Sequence, residues 1–185
     1  MSSTQINYLT PMRPLLSSLI LICSLSFATA AAQDNNCPCS RSEHRAFDFW
    51  IGQWDVFLPN GSLGGKNTIR KIEGGCALRE EWVSTASEGY TGTSYKFYNA
   101  IDKQWEQLWI DNQGAYLKLR GGIDNDGSMV LKGDPVKGLA GRMQINRITW
   151  TPNSDGSVRQ LWEVSFDQEN TWTVAFDGKY VKVGD

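Results

Sequence analysis

The chain beyond Trp54 is built of short segments in which apolar and polar residues alternate. No ten-residue window there carries apolar side chains at the i, i+3, i+4 and i+7 spacing of an amphipathic helix. The segments are rich in aromatic and β-branched residues, and turn dipeptides such as Asn60-Gly61 and Asp155-Gly156 separate them. The pattern predicts an antiparallel meander of about ten strands, at 54–58, 66–73, 77–84, 90–98, 104–111, 115–123, 128–132, 142–151, 157–166 and 171–182.

A different pattern precedes these strands. Residues 44–51 can form two helical turns, and Gly52 and Trp54 follow directly. A short apolar helix, a glycine and a tryptophan at the first strand are typical of a small barrel with a plugged floor. We therefore predict an all-β fold, an antiparallel barrel whose short N-terminal helix closes one end. In the last strand the apolar residues lie at even positions before Asp177-Gly178 and at odd positions after it. This change predicts a β-bulge at that point.

Three predicted strands repeat one arrangement on the face that we expect to point inward, with large aromatic side chains around one polar group. These faces carry Leu78, Glu80 and Trp82; Trp105, Gln107 and Trp109; and Val158, Gln160, Trp162 and Val164. Two further strands are expected to point Tyr95 and Phe97, and Trp172, Val174 and Phe176, inward. In the strand at 142–151 two sets of residues can point inward: Met143, Ile145, Arg147 and Thr149, or Ile148 and Trp150. If the first set points inward, Arg147 can face Glu80.

The inward groups have three interpretations. They can be the lining of a ligand cavity, because small-molecule pockets combine aromatic walls with a few convergent polar groups. They can be filler, since a ten-stranded barrel needs polar side chains and water inside it. Glu80 can also be a general acid or base in a buried site. The candidate ligand-binding residues are Glu80, Trp82, Tyr95, Trp105, Gln107, Trp109, Arg147, Gln160 and Trp162.

The N-terminus has the pattern of a secretory signal peptide. Arg13 precedes an apolar run at 15–27, and small residues follow it. The run is too short to span a membrane. We expect a signal peptide at 1–32, a polar tether at 33–43 and one barrel domain at 44–185, in a secreted or periplasmic protein. Without Arg13 the net charge is −3 and no basic block stands out, so nucleic acid is a poor partner.

Three cysteines follow the signal peptide, Cys37, Cys39 and Cys76. An exported protein is expected to contain a disulfide. Cys37 and Cys39 flank Pro38 and are poorly placed to bond each other, so one of them, preferably Cys39, should pair with Cys76. Three cysteines and one histidine at these spacings offer no metal site, and no cofactor motif is present.

His44 is the only histidine, so any hydrolase triad would have to use it. It precedes Asp48 by four residues, on the same face of the predicted helix. The sequence has no Gly-x-Ser-x-Gly nucleophile motif. An isomerase or hydrolase that uses Glu80 or His44 is therefore the alternative to a binding protein, and a filled barrel that acts through its surface is the third possibility.

Nearly the whole chain after the signal resembles a family of uncharacterised bacterial proteins that carry a domain of unknown function. The motifs that carry the resemblance are Glu43-His44-Arg45, Phe47-Asp48-Phe49-Trp50-Ile51-Gly52 with Trp54, Gly75-Cys76 with Leu78, Glu80 and Trp82, Trp105 with Gln107, Trp109 and Asp111, and Val158 with Gln160, Leu161, Trp162 and Glu163. Gly52-Gln53-Trp54 is also similar to the Gly-x-Trp opening of lipocalins. The resemblance implies a calycin-like barrel in which Lys179 or Lys182 packs over Trp54, and it implies no established activity.

Ser165-Phe166-Asp167 with Thr171-Trp172 is similar to the Asp-box hairpin of sialidases, with Glu169 in place of the usual glycine. In that motif the residues build a turn and have no catalytic role. From the sequence we expect a barrel that binds a small, partly apolar molecule in a tryptophan-lined cavity.

Overall fold

The computed structural model describes residues 38–138 and 141–184. The predicted signal peptide, Cys37 and residues 33–36 of the predicted tether lie outside this part of the chain. The described residues contain eleven strands, of which ten build a barrel. The strands are β1 (Gly52–Phe57), β2 (Leu63–Ile72), β3 (Ala77–Ser84), β4 (Thr91–Asn99), β5 (Gln104–Asp111), β6 (Tyr116–Ile123), β7 (Met129–Lys132), β8 (Val136–Lys137), β9 (Met143–Pro152), β10 (Val158–Ser165) and β11 (Thr173–Lys182).

The sheet closes on itself. Each strand from β1 to β7 pairs with the next, β7 pairs with β9, and β9, β10 and β11 continue the ladder back to β1. All of these pairings are antiparallel. The two-residue strand β8 pairs only with the first residues of β9. The predicted all-β barrel of about ten antiparallel strands is therefore confirmed, and β8 is the one addition to the predicted strands.

The segment before β1 closes one end of the barrel. It forms a one-turn helix, α1 (Ser42–Arg45), and a 3₁₀ turn (Asp48–Trp50), where the sequence predicts one helix of two turns. Phe47, which lies between the two turns, and Trp50, the last residue of the 3₁₀ turn, are fully buried. The rings of Phe47 and Trp150 contact each other edge to face, with centroids 5.1 Å apart. Aromatic packing of this kind makes the floor a solid plug.

A hydrogen bond from Trp54 and a disulfide fix the N-terminal segment to the barrel. Trp54 is buried, and its indole Nε1–H donates to the carbonyl oxygen of Trp50 at 3.0 Å. Lys182 lies over the Trp54 ring, with Nζ 5.7 Å from the ring centroid. A disulfide joins Cys39 to Cys76, which lies between the 3₁₀ turn at Glu73–Gly75 and the first residue of β3. The pairing that the sequence favours is thus present, and it ties the segment before α1 to the barrel wall.

The bulge in the last strand lies earlier than the sequence predicts. Trp162 of β10 pairs with Phe176, but Glu163 pairs with Val174, so Ala175 is the extra residue. The prediction of a bulge at Asp177-Gly178 is wrong. Because the bulge reverses the side-chain alternation, Val174 points outward and is 57% exposed instead of facing the interior.

In the described part of the chain, no helix has the length and apolar character needed to cross a membrane.

Candidate functional site

The end of the barrel opposite the plug contains a cavity of about 320 Å³. Four tryptophans from four strands line it, together with Tyr90 and with Phe176 and Tyr180 of β11. The polar lining comes chiefly from Glu80, Gln107 and Gln160. The tryptophans are Trp82, Trp109, Trp150 and Trp162.

Two glycines in the strands make room for the tryptophan rings. A Cβ atom at Gly65 would lie 2.3 Å from Cη2 of Trp82, and one at Gly92 would lie 2.1 Å from Cζ2 of Trp109. Real Cβ atoms essentially never make contacts this short. The two indoles therefore lie against bare backbone, and any other residue at these glycines would push the rings into the cavity.

Below the aromatic wall, Glu80 forms a buried ion pair with Lys96. Lys96 Nζ lies 2.8 Å from Glu80 Oε2 and 2.5 Å from Ser94 Oγ, and the Lys96 side chain is almost fully buried. Ser94 Oγ donates to Glu80 Oε2 at 2.5 Å, and Asn67 Nδ2 donates to Glu80 Oε1 at 2.7 Å. The ammonium group also lies 4.2 Å from the centroid of the Trp50 ring, a cation–π distance.

This environment shifts two ionisable groups. Burial lowers the pKa of Lys96, and the adjacent Glu80 carboxylate opposes that shift. Burial and the negative charge of Glu80 raise the pKa of the Tyr180 phenol well above its usual value. Both effects follow from the low dielectric between plug and cavity, which penalises any charge that lacks a partner.

Gln160 is held in one orientation by two donors. The indole Nε1–H of Trp150 donates to Gln160 Oε1 at 3.0 Å, and the Tyr180 hydroxyl donates to the same oxygen at 2.7 Å. Because an indole N–H can only donate, the atom that it meets must be the amide oxygen. The amide nitrogen of Gln160 has no hydrogen-bond partner among the described residues, so the cavity wall offers a donor there.

Gln107 is the second amide of the lining. Its side chain is 5% exposed, it lines the cavity, and its Oε1 has no hydrogen-bond partner in the described part of the chain. An unpaired buried carbonyl oxygen costs roughly 1–3 kcal/mol. This oxygen has almost no accessible surface, so it is a buried unpaired group and does not offer the cavity an acceptor.

A second depression, of about 880 Å³, shares part of its lining with the cavity. Gln107, Trp109, Leu117 and Trp162 border both spaces. This depression lies beside β6, whose ladder to β7 covers only Arg120–Ile123, so the first half of β6 has no strand partner on that side.

Six of the nine predicted ligand-binding residues line the cavity: Glu80, Trp82, Gln107, Trp109, Gln160 and Trp162. Trp105 is buried but belongs to the floor, where its ring contacts Phe47 with centroids 5.5 Å apart. The placement of Trp105 in the cavity wall is therefore wrong.

Two other predicted residues lie on the outer surface. Tyr95 is 42% exposed and points away from the interior, so its assignment to the site is wrong, and Phe97 points outward with it. Arg147 is also outside, where it pairs with Glu163 at 2.9 Å and its guanidinium carbon lies 3.9 Å from the centroid of the Trp172 ring. Arg147 therefore does not face Glu80, and the inward residues of β9 are Ile148 and Trp150.

Lys96 is a buried residue of the site that alternation within a single strand does not predict. A lysine on an aromatic-rich strand is normally assigned to the solvent face, yet this one is 0% exposed. The signal that reveals it is the β4–β5 hairpin, in which Asn99 pairs with Gln104 and Lys96 with Gln107. Paired residues share a face, so an inward Gln107 requires an inward Lys96.

The arrangement offers little to acid–base chemistry. Both oxygens of Glu80 already accept hydrogen bonds, from Asn67 on one side and from Ser94 and Lys96 on the other. His44 lies on α1 outside the cavity, with its ring against Tyr98. Among the described residues, no cluster of three or more His, Cys, Asp or Glu side chains could hold a metal ion.

Comparison of the sequence with protein-family models and with curated proteins gave no match.

Proposed function

We propose that this protein binds a small, partly apolar, uncharged molecule in the tryptophan-lined cavity of its barrel. The observation that carries the proposal is the cavity itself, about 320 Å³ enclosed by Trp82, Trp109, Trp150 and Trp162. This volume lies at the lower end of the range of small-molecule sites, and the lining of aromatic walls with a few polar groups is typical of them.

The cavity supports binding over a filled barrel that acts through its surface. In a filled barrel, side chains would meet across the axis, as Phe47 and Trp50 of the N-terminal segment meet Trp150 of β9 in the floor. Above the floor, Trp82 and Trp109 instead pack closely against Gly65 and Gly92, where the absence of a side chain leaves space inside the barrel.

Binding is also better supported than catalysis. The Glu80 carboxylate is committed to Lys96, Ser94 and Asn67, which is the environment of a structural ion pair. His44 lies away from the cavity. An acid or base would have to face the substrate with a free lone pair or proton, and neither candidate does so.

The proposal includes export and a calycin-like relationship. A disulfide between Cys39 and Cys76 suits an oxidising compartment, and Lys182 over Trp54 is what the lipocalin resemblance implies. N-terminal sequencing of the exported protein should begin between Ala31 and Asp34. A mature protein that retains residues 15–27 would contradict export with a cleaved signal.

The test of binding uses N-phenyl-1-naphthylamine, a neutral apolar dye whose emission rises in an apolar environment. Titration of the protein should give saturable dye emission and quench tryptophan fluorescence by energy transfer. Native mass spectrometry of protein purified from its source should in parallel show a co-purified small molecule.

Matched tryptophan variants locate the site. Trp109→Phe and Trp162→Phe should each reduce the dye-dependent quenching, because both indoles line the cavity. Trp172→Phe is the control, since that ring packs under Arg147 on the outer surface. Equal quenching in all three variants, or no saturable emission at all, would show that the cavity does not bind the dye.

A further inference from the structure

We infer that Gln160 supplies the hydrogen bond that selects the ligand, and that the ligand is a neutral, apolar molecule with a carbonyl or similar acceptor. The inference rests on the proposed function and adds to it the chemical class of the ligand. It starts from the amide nitrogen of Gln160, which has no hydrogen-bond partner among the described residues and belongs to a side chain that lines the cavity.

The amide nitrogen of Gln160 is accessible from the cavity. The side chain is partly exposed, and its nitrogen is not among the unpaired polar atoms that the described part of the protein buries, in contrast to Oε1 of Gln107. Gln160 projects to the inside of the closed barrel, because its strand partner Trp150 is a buried inward residue. The surface that the Gln160 side chain retains therefore belongs to the cavity.

Two donors fix the orientation of this amide. Its Oε1 accepts from the indole N–H of Trp150 at 3.0 Å and from the Tyr180 hydroxyl at 2.7 Å. A reversed amide would set its nitrogen against an indole that can only donate, so the nitrogen stays on the other side. The Tyr180 hydroxyl in turn accepts from Asn67 Nδ2 at 3.4 Å. Hydrogen bonds that end on the amide oxygen polarise the group, which makes its N–H a stronger donor.

The carboxylate and amide oxygens of the lining are not available to a donor on the ligand. Both oxygens of Glu80 already accept hydrogen bonds within the protein, and Gln160 Oε1 has its two donors. Gln107 Oε1 has almost no accessible surface. A ligand that donates hydrogen bonds would find none of these oxygens free, whereas a ligand that accepts one finds the N–H of Gln160.

The charge around the cavity selects a neutral acceptor. Among the described residues of the lining, Glu80 is the only one with a charged side chain, and its partner Lys96 is 0% exposed. An anion would therefore meet a carboxylate and no free cation, and a cation would meet a carboxylate that is already paired. Either charge would lose its hydration without a partner. A ketone, lactone or ether oxygen accepts from Gln160 without that loss.

The test compares three two-ring probes, indane, 1-indanone and indane-2-carboxylate, by calorimetry and ligand-observed NMR. The ketone differs from indane by one carbonyl group in place of a methylene group, and the carboxylate carries an acceptor with a negative charge. Because water also hydrates the ketone better than the hydrocarbon, the ratio of their two affinities is compared between the wild type and a variant. We expect indane-2-carboxylate to bind more weakly than 1-indanone.

The variant that removes the donor is Gln160→Met. The ratio of 1-indanone to indane affinity should fall about tenfold in this variant, because the ketone oxygen is then buried without a donor. Methionine retains the length of the side chain and keeps an apolar lining for indane. Gln113→Met is the matched control, because Gln113 lies exposed in the β5–β6 turn, and it should give the ratio of the wild type.

A measurement on the wild type keeps the inference testable if Gln160→Met does not fold. In isotope-labelled protein the two protons on the amide nitrogen of Gln160 give a pair of side-chain NMR signals. Saturation with 1-indanone should move one of these signals downfield relative to saturation with indane, which has the same rings and no acceptor.

The outcomes separate the two proposals. An unchanged affinity ratio in Gln160→Met, amide signals that respond equally to indane and 1-indanone, or tighter binding of the carboxylate than of the ketone would overturn the inference and leave the binding cavity in place. If neither a neutral probe nor the naphthylamine dye binds saturably, the proposed function itself is wrong.

Discussion

At the scale of single residues, the turn between β10 and β11 shows how side chains hold a strained backbone. Gln168 and Glu169 both have positive φ angles, 58° and 72°, a region that disfavours residues with a Cβ atom. Ser165 Oγ accepts from the backbone N–H of Glu169 at 2.8 Å, and Asp167 accepts from Thr171. Glycine adopts this conformation without strain, which agrees with the glycine usual at this place in the Asp-box hairpins that the sequence of this turn resembles.

We predict that Glu169→Gly is more stable than Glu169→Ala by about 1 kcal/mol. Both variants remove the exposed ion pair with Lys132, but only glycine relieves the left-handed backbone. Urea unfolding of the two variants measures the difference directly. Equal midpoints would mean that the backbone of this turn is not strained.

A second prediction concerns the buried ion pair. Glu80→Gln should lower the free energy of unfolding by about 3–5 kcal/mol, because it leaves the ammonium of Lys96 buried without its counter-charge. Adding Lys96→Met to that variant should recover at least half of the loss, since the unpaired charge is then gone. Both effects are measured by chemical denaturation at neutral pH.

The control for this prediction is an exposed pair. Arg159 and Asp177 form an ion pair on the outer face of β10 and β11, and Asp177→Asn should cost less than about 1 kcal/mol. If Glu80→Gln costs no more than Asp177→Asn, the buried pair does not hold a charged ammonium.

At the scale of secondary-structure elements, alternation within each strand predicted the site only in part. Alternation predicts the inward face of β3, β5 and β10 correctly, because the aromatic residues of each of these strands all lie on one face. In β4 and β9, aromatic or aliphatic residues lie on both faces, so alternation alone is ambiguous. Tyr95 is aromatic and points outward, whereas Lys96 is charged and points inward.

Cross-strand register resolves both ambiguous strands. Gln107 pairs with Lys96, and Gln160 pairs with Trp150. Once Gln107 and Gln160 are taken as inward, Lys96 and Trp150 must be inward too, and Tyr95 and Arg147 must be outward. The volume of the cavity could not be predicted in this way, because it depends on how Trp82 and Trp109 pack against glycines.

The link between the N-terminal segment and β3 gives a prediction at the same scale. Cys76→Ser should lower the free energy of unfolding by roughly 2–4 kcal/mol, because the disulfide closes a loop of 37 residues in the unfolded chain. Wild-type protein kept under reducing conditions should show the same loss. Cys37→Ser is the matched control and should unfold as the wild type does. A loss of equal size in Cys37→Ser would mean that Cys37, and not Cys39, forms the disulfide with Cys76.

At the scale of the whole molecule, the closed barrel divides into a solid half and an open half. The floor consists of stacked and edge-on aromatic rings around Phe47 and Trp50. The ion pair of Glu80 and Lys96 forms the boundary, and the cavity lies above it. The aromatic floor and the disulfide thus lie at the end of the barrel away from the cavity.

The same architecture predicts how stability depends on pH. Burial, together with the nearby Asp111 carboxylate, raises the pKa of Tyr90 to about 12, and burial raises that of Tyr180 as well. In the unfolded chain both phenols ionise near pH 10. Above that pH the unfolded state holds fewer protons than the folded state, so the free energy of unfolding falls as pH rises towards 12. Below pH 10 this contribution is fully present.

Lys96 changes the free energy of unfolding in the opposite direction and over a lower pH range. Because the pKa of Lys96 is lowered in the folded protein, the unfolded chain binds more protons at this residue below about pH 10.5. The free energy of unfolding therefore rises with pH through this residue, and the rise is complete at about pH 10.5. We therefore expect the urea midpoint to decline between about pH 10.5 and 12. Tyr90→Phe and Tyr180→Phe should each flatten this decline, whereas Tyr116→Phe, whose ring is 67% exposed, should not. An unchanged slope in all three variants would show that the two buried phenols do not couple to folding.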